Sequence, residues 1–267
     1  MYNKTILTLT VATATLALAQ EAKAQINLQV FYDFGKDRGH VTTTLEGFYN
    51  DNWGNTFFFI DYDYKGINAD KKNVTPSSTY FEIARCFNFW HNVPVLNGFS
   101  LQAEYNGGLL LGSEGNAFGQ YTGYGINHAL LAGVDYFIHS KDFKNTLNLK
   151  VLYKKILGVS SQVPMQFTVV WGLQDLFGLK GLRFSGFADF WWEDHMLFNS
   201  HDGLGTLGPD GEPSHVVFIS EPQLWYNVGQ WFGVNNLNIG GEVELSYDFA
   251  TTKGFWVRPC AGAKWVF

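Results

Sequence analysis

Apolar and polar residues alternate with a period of two along most of this chain, the mark of strands with one apolar and one watered face. In 236–249, Leu237, Ile239, Gly241, Val243, Leu245, Tyr247 and Phe249 oppose Asn238, Gly240, Glu242, Glu244, Ser246 and Asp248. Three carboxylates on one face belong neither in lipid nor in a dry core, so that face meets water. In 182–193, Leu182, Phe184, Ala188, Phe190 and Trp192 oppose Arg183, Ser185, Phe187, Asp189, Trp191 and Glu193, which sets aromatics beside charges on the watered face. In 254–267, Phe255, Val257, Ala261, Ala263, Trp265 and Phe267 oppose Trp256, Arg258, Cys260, Gly262 and Lys264. Apolar outside, mixed polar inside and aromatic at its last residue, this segment has the form of the closing strand of an outer-membrane barrel.

Runs of this kind, bounded by turn residues, occur near 26–34, 40–50, 55–65, 78–90, 98–107, 123–138, 145–156, 163–176, 181–193, 215–227, 236–249 and 254–267. They predict an all-β fold, a twelve-stranded antiparallel transmembrane β-barrel with both chain ends on the periplasmic side. The connections 65–77, 108–122 and 194–214 are long and rich in Gly, Asn, Ser and Pro, and are expected to face outward. Those at 51–54, 139–144 and 177–180 are short and are expected to face the periplasm.

The N-terminus adds the compartment. Lys4, an apolar run over 6–19 and Ala22-Lys23-Ala24 read as a signal peptide spanning 1–24, with the barrel at 25–267. No later window approaches the ~20 apolar residues of a membrane helix, so any span is built from strands. Removing Lys4 and Lys23 from 18 basic residues, and Glu21 from 24 acidic ones, leaves 16 against 23 and a net charge of −7. That balance argues against nucleic acid as a partner. Charged residues make up 16% of the chain and aromatics 17%, too little charge for the surface of a soluble domain. Cys86 and Cys260 form at most one bridge, and two sheltered free thiols are expected.

Candidate chemistry gathers on an early strand. In W53-G-N-T-F57-F58-F59-I60-D61, Phe57, Phe59, Asp61 and Asp63 share the inward face while Phe58, Ile60, Tyr62 and Tyr64 point outward. This segment resembles the Tsx-like family of nucleoside-specific outer-membrane channels, which carries a Trp and then aromatic-x-aromatic-x-Asp at this spacing. F81-E82-I83, D175-L176-F177-G178 and G186-F187-A188-D189-F190-W191-W192 resemble further steps of the same family, in the same order. The resemblance implies a narrow monomeric channel lined by aromatic and ionisable residues that bind nucleosides. Two positions depart from it: Trp191 stands inward where the family more often has a small acid, and Arg85 falls on the lipid side. A lipid-facing Arg requires either a bulge that turns it inward or a place at the rim.

The expected function is passive, selective uptake of small flat solutes such as nucleosides across the bacterial outer membrane. Phe57, Phe59, Phe187 and Trp191 would stack the solute, Asp61, Asp63, Glu82, Asp189 and Glu193 would take its hydroxyls, and Arg183 and Arg258 would balance the carboxylates. The expected partners are that solute, outer-membrane lipid and, through the strand ending at Phe267, the barrel assembly machinery. The competing reading is a structural or interaction barrel with a filled lumen whose loops bind a ligand or a phage.

Enzymatic, metal and cofactor chemistry is not expected. An outer-membrane lipid hydrolase would need an oriented His and Ser on the wall, whereas Ser200-His201 and Ser214-His215 read as loop neighbours. His195, His201, Asp194 and Asp202 read as solvated loop residues rather than as metal ligands. The N-V-T triplet at 73–75 has glycosylation spacing, which carries little meaning in this compartment.

Overall fold

The structure is a computed structural model that describes residues 24–36, 38–64, 76–111, 123–197 and 211–267. The expected signal peptide, Ser200, His201, Asp202 and the triplet at 73–75 lie outside the described residues. Thirteen strand segments follow in order: β1 (Ala24–Asp33), β2 (Val41–Asp51), β3 (Gly54–Tyr64), β4 (Ser78–Phe87), β5 (Phe99–Leu111), β6 (Gly123–His139), β7 (Asn145–Ile156), β8 (Met165–Gln174), β9 (Leu182–Leu197), β10 (Glu212–Ser220), β11 (Gln223–Tyr226), β12 (Leu237–Tyr247) and β13 (Phe255–Val266). Each neighbouring pair is antiparallel, and β1 closes on β13 from Asn27 opposite Val266 to Asp33 opposite Cys260.

β10 and β11 lie end to end between β9 and β12, so the thirteen segments make twelve spanning strands. The interruption falls at Glu221-Pro222, where proline has no N–H to give to the ladder. Register carries through it, because Glu221 N donates to Phe187 O (3.1 Å) and Val243 N donates to Pro222 O (3.1 Å). Gly186 faces this kink on β9; a Cβ there would lie 2.4 Å from Glu221 O, so only glycine admits the approach.

Burial is inverted relative to a soluble protein. Along β1, Asn27, Gln29, Phe31 and Asp33 are buried while Ile26, Leu28, Val30 and Tyr32 are exposed; Gln29 retains 1% of its surface and Val30 43%. β13 repeats this with Arg258 and Lys264 buried against exposed Phe255, Val257 and Trp265. Exposed aliphatic and aromatic rows over a polar interior are stable only when lipid is outside, as in an outer-membrane barrel. The fold is a twelve-stranded antiparallel barrel of the outer membrane, as the alternation predicts.

Several boundaries differ from the sequence pattern. β4 ends at Phe87 rather than near residue 90, because Asn88 and Trp90 turn back: Asn88 Nδ2 donates to Asn97 O (2.7 Å) and Trp90 Nε1 to Phe99 O (2.8 Å). β9 runs on to Leu197, so Asp194 and His195 belong to the wall and not to a loop. Ser214 and His215 likewise lie in β10, at a register shift between Ser214 and Val216. That irregularity sends Ser214 inward to Asp248 (2.9 Å) and leaves His215 half exposed against Asp194 (2.7 Å). Arg85 stays in unbroken register opposite Thr56 and pairs with Asp51 (2.8 Å), so it sits at the rim and no bulge turns it. Cys86 and Cys260 are both free, on β4 and β13.

Candidate functional site

The eleven residues singled out from the sequence all fall on inward positions; ten of them divide among three places, and Arg258 lies apart on β13, buried against Glu244. The first is the wall of β3 and β4. Register sets Phe57 opposite Ala84, Phe59 opposite Glu82, Asp61 opposite Tyr80 and Asp63 opposite Ser78. Alternation along β3 therefore sets the rings in a tilted ladder: Phe57 to Phe59 is 6.1 Å between centroids and Phe59 to Tyr80 is 5.9 Å, each pair inclined at 52°. The carboxylates beside them are held by hydroxyls of adjacent strands. Asp61 accepts from Thr44 (2.5 Å), and Asp63 accepts from Thr42 (2.7 Å) and Ser78 (2.5 Å). Glu82 accepts from Tyr80 (2.7 Å) and from Asn106 of β5 (3.1 Å). Phe57 and Phe59 keep part of their rings uncovered, as does Phe48, which stands opposite Phe57 on β2.

The second place is the loop-end half of β9. Trp191 is 6% exposed and packs with Val217 and Ile219, joined by Phe187, Ile156 and Phe249. The Lys154 ammonium lies 3.7 Å from the centre of its ring, and its Nε1 donates to Glu193 (2.9 Å). Trp191 is thus a packed wall element with a covered face. Asp189, next inward on β9, lies within electrostatic reach of Lys154 and Glu104 and faces Glu82 across the lumen. The third place is Arg183 alone, exposed near the turn end opposite Gln174 and Trp225.

Interior chemistry that the motifs did not single out lies on β5, β7 and β10–β13. Glu244 accepts from Arg258 (2.5 Å) and from Arg38 (2.5 Å), and Arg38 also pairs with Asp33 (3.2 Å). Lys264 lies 4.3 Å from the ring centre of Trp225, which itself meets Phe31 at 5.5 Å. Glu104, Asn106 and Lys154 share the alternation that found Glu82, so a wider search by period two would have reached them. Glu221 falls within the expected strand at 215–227, but no motif singled it out.

The family model described as "Domain of unknown function (DUF5020)" matches residues 24–267, the whole of the barrel. The chain belongs to the DUF5020 family. No curated protein sequence matches this DUF5020 barrel. Among solved structures it is similar to Omp33 of Acinetobacter baumannii, at 12% identity and a TM-score of 0.40 over 92% of this chain and 98% of that one. It is similar also to OccK2 of Pseudomonas aeruginosa, solved with glucuronate, at 10% identity and a TM-score of 0.41 over 93% and 98% of the two chains. OprB of Pseudomonas putida follows at 9% identity and a TM-score of 0.37, over 85% of this chain and 59% of that one. The family description names no function, so what the DUF5020 barrel conducts or binds is argued from its own wall.

Proposed function

We propose that this barrel is a channel for passive, selective uptake of small flat hydroxylated solutes, and that nucleosides are the class its wall suits. The observation that carries the reading is the β3–β4 ladder, in which partly uncovered Phe57 and Phe59 are followed on the same face by Asp61 and Asp63 and stand beside Tyr80 and Glu82. An uncovered ring offers a face to any planar base, worth ~1 to 3 kcal/mol per stack. A carboxylate held by Thr or Ser keeps lone pairs for ribose hydroxyls, because an ionised carboxylate accepts more than one hydrogen bond. A solute entering from the loop end exchanges hydration for these contacts and leaves toward the turn end. Each contact is individually weak, as conduction requires. Outer-membrane lipid surrounds the wall, and the strand ending at Phe267 addresses the assembly machinery.

One observation favours the competing reading of a filled lumen. Trp191, Val217, Ile219 and Phe249 pack together at the loop end, and Trp225, Leu152, Gln29, Val217 and Ser246 are fully buried inward side chains. A barrel closed in this way would act through its loops, on a ligand or a phage. The deciding experiment measures flux of a nucleoside and of a similarly sized sugar into liposomes holding the purified protein. Faster nucleoside entry supports the selective channel, equal entry makes the barrel a sieve, and no entry of either solute assigns it to the closed class.

A further inference from the structure

We propose that the outer wall carries, at the turn end, a seat for the headgroup of an anionic glycerophospholipid. The seat is a cavity of about 460 Å³ lined by Leu179, Lys180, Tyr226, Gln230, Trp231 and Asn235. It forms where two connections dock, the turn before β9 and the one between β11 and β12. Asn227 N donates to Gly181 O (3.0 Å), Gln230 Nε2 to Lys180 O (3.3 Å) and Asn227 Nδ2 to Asn235 O (2.9 Å). Gly181 permits the approach, because its φ is 84° and a Cβ there would stand 3.1 Å from Gln230 Nε2. Both rims of the cavity are thereby tied to each other.

The lining carries one charge, and it is positive. Lys180 is the only ionised side chain of the six. Asp175, the carboxylate of the same turn, is engaged by Lys144 (2.7 Å) and by the Gly181 N–H (2.8 Å). Among the described residues the Lys180 ammonium has no hydrogen-bond or ion-pair partner, and the Trp231 indole N–H, the Tyr226 hydroxyl and the Asn235 side-chain amide have no hydrogen-bond partner. A cavity lined by four such donors and no carboxylate suits an anion, and phosphate oxygens accept several charge-assisted hydrogen bonds at once.

The wall on which the cavity opens makes that anion a lipid. Tyr226 alternates with buried Trp225 and so faces outward, and exposed Trp231 lies beside it with ring centroids 5.5 Å apart. Next to Tyr226 on the lipid side stand exposed Leu224, on the same strand, and exposed Ile239, opposite Tyr226 on β12; an acyl chain would rest along them. Exposed Trp53, Phe89, Phe143 and Phe177 occupy the turns around this end, the aromatic girdle that marks headgroup level. The turn end faces the periplasm. The leaflet on that side of an outer membrane is built of glycerophospholipids, so phosphate at Lys180 and an acyl chain on Leu224 and Ile239 belong to one molecule. The seat lies outside the lumen and does not rest on the channel reading.

The test titrates the folded protein, stripped of lipid in a non-ionic detergent, with phosphatidylglycerol, and counts bound lipid by native mass spectrometry. One saturable phosphatidylglycerol per barrel is expected, weakened about tenfold or more by Lys180→Gln, several-fold by Trp231→Ala, and kept by Lys180→Arg. Phe232→Ala, exposed on the same connection but outside the cavity, should bind as the wild type does. Diacylglycerol, with the same chains and no phosphate, is expected to bind at least tenfold more weakly. Equal binding of the two lipids, or wild-type binding by both Lys180→Gln and Trp231→Ala, would overturn the seat and leave only unselective lipid around the wall. Inorganic phosphate that binds as tightly as the lipid would also overturn it, by assigning the cavity to free anions. Heat-modifiability on detergent gels shows that each variant is folded before its binding is compared.

Discussion

Phe249 meets Trp191 edge to face inside the barrel, with ring centroids 6.2 Å apart and planes at 86°. Phe249 lies in the connection between β12 and β13, so a loop side chain reaches inward to pack on the wall. The backbone of that connection is strained to do it: Asp248, Ala250 and Thr251 have φ of 50°, 51° and 64°. Asp248 holds the turn by accepting from Gly254 N (2.8 Å) and Ser214 (2.9 Å) through its side chain, and from His195 (2.9 Å) through its carbonyl.

Phe249→Ala is expected to raise solute flux into liposomes several-fold, because it removes the ring that caps Trp191, Val217 and Ile219. Its cost in stability should fall below the ~3 to 5 kcal/mol of a fully buried Phe→Ala, since Phe249 is only partly buried. Flux equal to wild type would place the constriction elsewhere in the lumen.

Phe57→Ala and Phe59→Ala are expected to slow nucleoside entry while leaving a sugar of similar size nearly unaffected. A stack of ~1 to 3 kcal/mol corresponds to about five- to a hundredfold in binding. Asp61→Asn keeps the side chain's size and the bond from Thr44 but removes the charge, so it should weaken nucleoside and sugar alike through their hydroxyls. Competition assays with both solutes separate the two effects.

Glu244→Gln is expected to lower the temperature at which the barrel loses its compact form on detergent gels. Glu244 and Arg258 are both buried, and removing one partner of a buried pair costs ~3 to 5 kcal/mol because the other charge remains in place. Arg38 softens the loss by keeping Asp33. A variant carrying Glu244→Gln with Arg258→Met should recover part of it.

Removal of Phe267 is expected to reduce the amount of folded protein in the outer membrane without altering the lumen. Its ring is 69% exposed, and its N–H donates to Ile26 O (2.8 Å) at the seam of the barrel. Heat-modifiable protein in membrane fractions measures assembly; an unchanged amount would remove this residue from the assembly signal.

At the turn end, Lys144 bonds Asp175 (2.7 Å) and, with the Gly181 N–H, holds its carboxyl at about 2, below the ordinary 3.8. A folded-state value below the unfolded one gives stability that is present above about 3.8 and is lost as pH falls toward 2. The pair is exposed, so the effect is small and screened by salt. Asp175→Asn keeps the left-handed backbone that Asn tolerates and should flatten this acid limb in pH-dependent unfolding.

The barrel itself was legible in the sequence for a simple reason: side chains of a strand alternate strictly, and lipid on one side with water on the other forces residue type to follow that alternation. It placed Phe57, Phe59, Asp61, Glu82 and Asp189 inward, and it set twelve strands, from local residues alone. What period two cannot express is distance around the barrel and across it. Which strands face one another depends on closure of β1 on β13, so only the tertiary structure brings Asp189 toward Glu82 and Arg38 to Glu244. Local irregularities were equally beyond the pattern. The run at 215–227 reads as one continuous strand, yet it is divided at Glu221-Pro222, where proline has no N–H to give and the strands on either side hold the register. Trp191 reads as a stacking surface of the same kind as Phe59, since both are inward aromatics. Packing separates them, because Lys154 and Phe249 cover Trp191 while the rings of β3 keep part of their faces open to the lumen.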